Sequence, residues 1–201
     1  MLYLYDESIA DDLNRSFNPD NSSNCTVKVV DAESMIAVNA QIAEGKMKFP
    51  MVGIMRDPNY AIDESRSNFT WTHKGVPAVF DNENNLYYSE KSLPVKLTYT
   101  ITILATNTAD MDEMIRELLF KYNNMYFLTI KLPYESDRKI RFGIKLEPGA
   151  EIQRESGQFE YSESGSLYRS KIPVVCDGCV LLNYTPSKLT RAKYEYGGDM
   201  K

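Results

Sequence analysis

The stretch LPVKLTYTITILAT, residues 93–106, constrains the fold more than any other part of the chain. Leu93, Val95, Leu97, Tyr99, Ile101 and Ile103 alternate with Lys96, Thr98, Thr100 and Thr102. A period of two places the sets on opposite sides of an extended strand, one apolar and one polar and β-branched. The next residues, NTAD, carry a helix-start signal with Asn107 or Thr108 as N-cap. ADMDEMIRELLFKYNN (109–124) then puts Met111, Met114, Ile115, Leu118, Leu119 and Tyr122 on one helical face, with Lys121 near the C-terminus, where the helix dipole favours a cation.

The rest of the chain follows the same logic. DESIADDLNRSF (6–17) spaces Ile9, Leu13 and Phe17 as one stripe of an amphipathic helix, with Asp6, Glu7, Asp11 and Asp12 in its early turns. TVKVV (26–30) predicts a short strand. AESMIAVNAQIAEG predicts a helix capped by Asp31 and stopped at Gly45. KFPMVGIMRD (48–57), bounded by Pro50 and Pro58, predicts a strand. Between Pro58 and Ser92 the pattern weakens, except that VPAVFD and LYYSE flank NENN as a hairpin. MYFLTIKL (125–132), RKIRFGIKL (138–146) and GQFEYSESGSLYRSKIPVVC, with a turn at Gly165, predict a β-rich last third. Residues 184–201 lose periodicity and read as a tail or arm. The expected fold is α+β: a mixed, mainly antiparallel sheet with helices packed on one face, a long hairpin-like excursion (58–92) and a C-terminal arm, in one domain spanning 1–183.

Composition narrows the function classes. A hydrophobic share of 43% and a charged share of 25% describe a soluble globular chain. A net charge of -5 argues against phosphate binding as the main role, so no specific nucleic-acid partner is expected. No apolar run approaches the ~20 residues of a membrane span, so no membrane partner is expected, and the acidic N-terminus is unlike a secretory signal. Three cysteines fit reduced thiols in a cytoplasmic setting. The aromatic content, 14 Tyr to 1 Trp, suits half-wet sheet faces and interfaces.

The one spacing that suggests chemistry is Cys176-Asp177-Gly178-Cys179. A C-x-x-C dithiol needs its first thiol at a helix N-terminus, yet IPVVC and CVLLNY are β-like on both sides. A zinc site needs four ligands, and the remaining candidates, Cys25 and His73, lie far apart in the chain. The favoured reading makes Asp177 and Gly178 a tight turn or bulge with positive φ at the glycine, and the two cysteines packing residues. His73 reads as a surface or sheet residue, and the acids of 6–12 as a solvated helix face rather than a cation site. The sequence contains no nucleophile-elbow, zincin, P-loop or dinucleotide fingerprint. The expectation is no catalytic, metal or cofactor residue. The excursion aromatics Phe69, Trp71, Phe80, Tyr87 and Tyr88 suit a surface packed on a partner or on the domain itself, and Lys188, Arg191 and Lys193 an interface arm.

Several stretches together resemble a family. They are KMKFPMVGIMRD, the excursion, LPVKLTYTITILATNTADMDEMIRELLFKY and SGQFEYSESGSLYRSKIPVVCDG. In order, over most of residues 1–183, they are similar to the tail terminators of contractile-tailed bacteriophages, also called tail sheath stabilisers or tail completion proteins. The resemblance implies a small α/β subunit of a hexameric ring in the virion neck, assembled in the host cytoplasm. Such a ring ends tail-tube growth, meets the last sheath ring and faces the head–tail connector, without catalytic residues or cofactors. The segment after Tyr184 and the C-x-x-C lie outside the family pattern. The alternatives are another neck, connector or baseplate component, a thiol oxidoreductase using Cys176 and Cys179, and a small zinc-binding module.

Overall fold

In chain order the elements are α1 (Tyr3–Phe17), β1 (Thr26–Val29), β2 (Met51–Ile62), β3 (Ala78–Asp81), β4 (Leu86–Ser89), β5 (Ser92–Ala105), α2 (Thr108–Tyr122), β6 (Tyr126–Lys131), β7 (Lys139–Leu146), β8 (Gln153–Gly157), β9 (Leu167–Leu181) and β10 (Ser187–Lys188). They come from a computed structural model that describes residues 1–19, 25–30, 48–62, 78–81, 86–89, 92–131, 139–149, 151–157, 167–181 and 187–188.

The alternating stretch forms β5, and β9 pairs with it antiparallel without a break, from Ser92 opposite Leu181 to Ala105 opposite Tyr168. These two strands are the centre of a seven-stranded sheet of order β1-β2-β5-β9-β7-β6. The far edge of β9 is shared: β8 pairs with Leu167–Lys171 and β7 with Val174–Asp177. Only the β1–β2 pair is parallel among these strands. The fold is therefore α+β with a mixed, mostly antiparallel sheet, as the alternation and element order imply.

Both described helices lie on the apolar face of this sheet. Val95, Leu97, Tyr99, Ile101 and Ile103 of β5 join Val52 and Ile54 of β2, Ile172, Val174 and Cys176 of β9, and Phe142 and Ile144 of β7 in one core. Against them α1 buries Leu4, Tyr5, Ile9 and Leu13, and α2 buries Met111, Met114, Ile115, Leu118 and Tyr122. Each large aliphatic side chain so buried contributes about 1.5–3 kcal/mol relative to exposure. Asn107 caps α2, its side-chain oxygen accepting from the Ala109 N–H at 2.9 Å. A smaller cluster, Val30, Met51, Leu104 and Leu167, forms from residues of the opposite alternation.

Three details differ from the sequence reading. The helix α1 starts at Tyr3, a turn earlier than the acidic cluster suggests, because Leu4 and Tyr5 continue its buried stripe. The strand β2 does not stop at Pro58. Its register shifts between Arg56 and Tyr60, and the irregularity takes the proline, which has no N–H to donate, out of the regular ladder. The third concerns Asp177 and Gly178, which form neither a turn nor a bulge. They sit in mid-strand, opposite Lys96 and Val95, in unbroken register. The glycine with positive φ among the described residues is Gly149, at 75°. Gly178 serves close approach instead: a Cβ there would lie 3.0 Å from Cε1 and Cζ of Tyr5. The helix expected after Asp31, its stop at Gly45 and the turn at Gly165 lie outside the described residues.

Candidate interaction surfaces

Two of the four early acids of α1 are structural anchors rather than a solvated face. Asp6 accepts from Arg56 Nη1 at 2.9 and 2.8 Å through its two oxygens, and from the Tyr99 hydroxyl at 2.8 Å. One carboxylate thus joins α1 to β2 and β5. Two turns on, Asp12 pairs with Lys121 Nζ at 2.6 Å and accepts from the hydroxyls of Tyr122 and Tyr126 at 3.3 and 3.4 Å. Lys121 also donates to Ser16 Oγ and lies over the Tyr126 ring, 4.9 Å from its centroid. Asp12 therefore joins α1 to α2 and β6. Glu7 and Asp11 remain exposed.

A third anchor reaches β9. The Tyr5 hydroxyl donates to the Cys179 carbonyl and accepts from the Cys179 N–H, both at 2.8 Å. Opposite Cys179 stands Pro94, which has no N–H, and β7 has already left the edge of β9 after Asp177. Tyr5 thus bonds both backbone groups of Cys179, beyond the last β7 pairing on that strand. Burial pushes the ionisation of Tyr5, Tyr99 and Tyr122 well above the ordinary phenol range, with Cys179, Asp6 and Asp12 respectively reinforcing it.

The three cysteines are free thiols. Cys176 is fully buried between β5 and β7, and burial raises its pKa far above the thiol range. Burial also pushes Cys25 up to about 11. A reactive dithiol needs the opposite shift. Cys176 and Cys179 stand three residues apart in β9, and no disulfide joins them. Among the described residues no three His, Cys, Asp or Glu side chains are grouped to hold a metal ion. No described helix is long and apolar enough to cross a membrane.

Four of the expected interface residues, Phe80, Tyr87, Tyr88 and Lys188, lie on the strands of a second sheet. The strands β3 and β4 form the hairpin predicted around NENN, with Phe80 opposite Tyr87 and Val79 opposite Tyr88. The strand β10 adds to the other edge of β4, with Lys188 opposite Tyr88 and Ser187 opposite Ser89. The C-terminal segment, read as an arm, is thus tied to the excursion by backbone pairing. Phe69, Trp71, Arg191, Lys193 and His73 lie outside the described residues.

Sequence reasoning missed the exposed apolar residues of the main sheet and its helices. Tyr60, Ile62 and Leu93 are exposed where β2 and β5 lead into the excursion, and Phe120 on α2 and Phe127 on β6 are exposed elsewhere. The available signal was Phe127 at an odd position in a strand that buries its even ones. Comparison with protein-family models and with curated proteins finds no match.

Proposed function

We propose that the chain is a structural, non-enzymatic protein of a contractile phage tail, a tail terminator. In this reading it forms a hexameric ring in the virion neck, assembled in the host cytoplasm, that caps the tail tube, meets the last sheath ring and joins the tail to the head connector. The observation that carries the reading is the second sheet. An excursion from one edge of β5 and a segment from beyond β9 combine into β10-β4-β3, apart from the core sheet. A segment that builds a sheet of its own outside the main core suits contact between subunits. The sequence resemblance, which runs through β2, the excursion, β5, α2 and β9, supplies the identity of the assembly.

The thiol oxidoreductase alternative is disfavoured by the burial of Cys176 and the upward shift of its thiol. A different neck, connector or baseplate part shares the ring architecture and is separated by binding preference. Purified protein mixed with tail tubes tests this directly. Electron microscopy is expected to show a ring on one tube end and arrested tube growth. Rings that bind only connector or baseplate components would transfer the reading to those parts, and failure to bind any tail component would reject it.

A further inference from the structure

The apolar alternation of the core sheet runs on past the helix layer. The helix α1 begins at Tyr3, and its Tyr5 hydroxyl bonds Cys179, which stands opposite Pro94. Leu93, one residue further out on β5, is exposed, as are Tyr60 and Ile62, each at 52%. Tyr60 stands opposite Leu97 and Ile62 opposite Val95, both buried in the core. The three exposed side chains therefore continue the inward alternation onto a bare apolar ledge.

The ledge also has an open edge. The strand β1 pairs with β2 from Met51 to Ile54, and among the described residues no strand lies on that side of Tyr60, Ala61 and Ile62. An extended peptide added to such an edge gains main-chain hydrogen bonds and lays alternate side chains on the apolar side.

The chain itself carries a segment of matching chemistry. LTRAKYEY (189–196) lies outside the described residues, and its sequence has no Gly, Pro, Asn or Asp to turn it. Tyr194 and Tyr196 stand two apart, so an extended backbone presents both on one side and Arg191, Lys193 and Glu195 on the other. Its point of departure is set by β10. Ser187 lies opposite Ser89 and Lys188 opposite Tyr88, so at Lys188 the chain runs along β4 away from β5 and from its own ledge. A segment without turn residues, leaving in that direction, leads towards another molecule.

We propose that residues 189–196 of one copy add as a strand to the open edge of β2 in the next, with Tyr194 and Tyr196 against Tyr60, Ile62 and Leu93. Such a contact is heterologous, the kind that closes into a ring when the rotation allows. This inference rests on the ring reading and adds the place where the C-terminal arm docks.

The test compares the full chain with three variants: Tyr60→Ser with Ile62→Ser, Tyr194→Ser with Tyr196→Ser, and all of these changes together. Thermal unfolding checks folding, and the tail variant, which alters no described residue, carries the comparison if the ledge variant is destabilised. Mass photometry across a protein titration reads assembly. Each pair of changes is expected to weaken association at least about tenfold, because buried aromatic anchors carry much of an interface's energy. The combined variant is expected to be no weaker than the worse pair, since both remove one contact. On a Cys179→Ala background, oxidising a mixture of Ile62→Cys chains and Tyr194→Cys chains is expected to link unlike copies. Parent-like assembly of the tail variant, additive losses, or no link between unlike copies overturns this docking while leaving a ring built by other contacts. A parent chain that stays monomeric throughout overturns the ring reading and this inference together.

Discussion

Tyr5 ties the first turn of α1 to a strand 174 residues later, and Gly178 is the residue that lets its ring arrive. Replacing Tyr5 with Phe keeps the ring but removes its hydroxyl's bonds to the partly buried Cys179 N–H and C=O. The expected loss is about 1–3 kcal/mol in a denaturant titration. Gly178→Val is expected to lose more, because the added atoms meet the ring itself, whereas Cys179→Ala is expected to stay within about 1 kcal/mol of the parent. Alkaline pH acts through the same buried groups. Cys25 is raised from 9.0 to about 11, and Tyr5, Tyr99 and Tyr122 are raised above 10.0. In each case the folded state holds its proton more tightly than the unfolded state. Stability is therefore full below pH 9 and falls as pH rises through 9 and then 10. Chemical unfolding at pH 8 and pH 10.5 checks the sign; equal midpoints would contradict it. The Asp-Gly pair shows why this region was misread from sequence. Locally it is good turn chemistry, but the demand on Gly178 comes from a ring distant in sequence, which no local pattern records.

At the scale of elements, α1 is held on the sheet by two carboxylates whose neighbours differ. Asp12 is buried with Lys121, so Asp12→Ala leaves a cation without its partner. A loss of about 3–5 kcal/mol is expected in thermal or denaturant unfolding. Asp11→Ala, one residue away on the exposed side, is expected to change stability by less than about 0.5 kcal/mol. Similar losses from both would contradict the division of α1 into an anchored and a solvated face. The strands β5 and β7, the helix α2 with its Asn107 cap and the β3–β4 hairpin were legible, because their periodicity and turn residues are local. The two anchoring roles were not, since Asp6 and Asp12 look like Glu7 and Asp11 until β2, β5 and α2 are placed beside them. The pairing of β10 with β4 was hidden for a similar reason: two residues carry no periodicity, and the partner lies far away in the chain.

For the whole molecule, the proposed role rests on the second sheet, β10-β4-β3, beside a core sheet that helices cover on one face. Alternation in β5 made the one-sided helix layer legible. The alignment of Lys131, Lys139, Arg141 and Lys145 was less so, because they fall into line only once β6 and β7 are in register. In the proposed role this chain is a ring-forming cap of a tail tube. Electron microscopy of purified protein incubated with tail tubes tests it most directly. Closed rings are expected, each seated on one tube end, with no further tube growth from that end. Tubes that keep growing with bare ends, beside protein that remains monomeric, would contradict it.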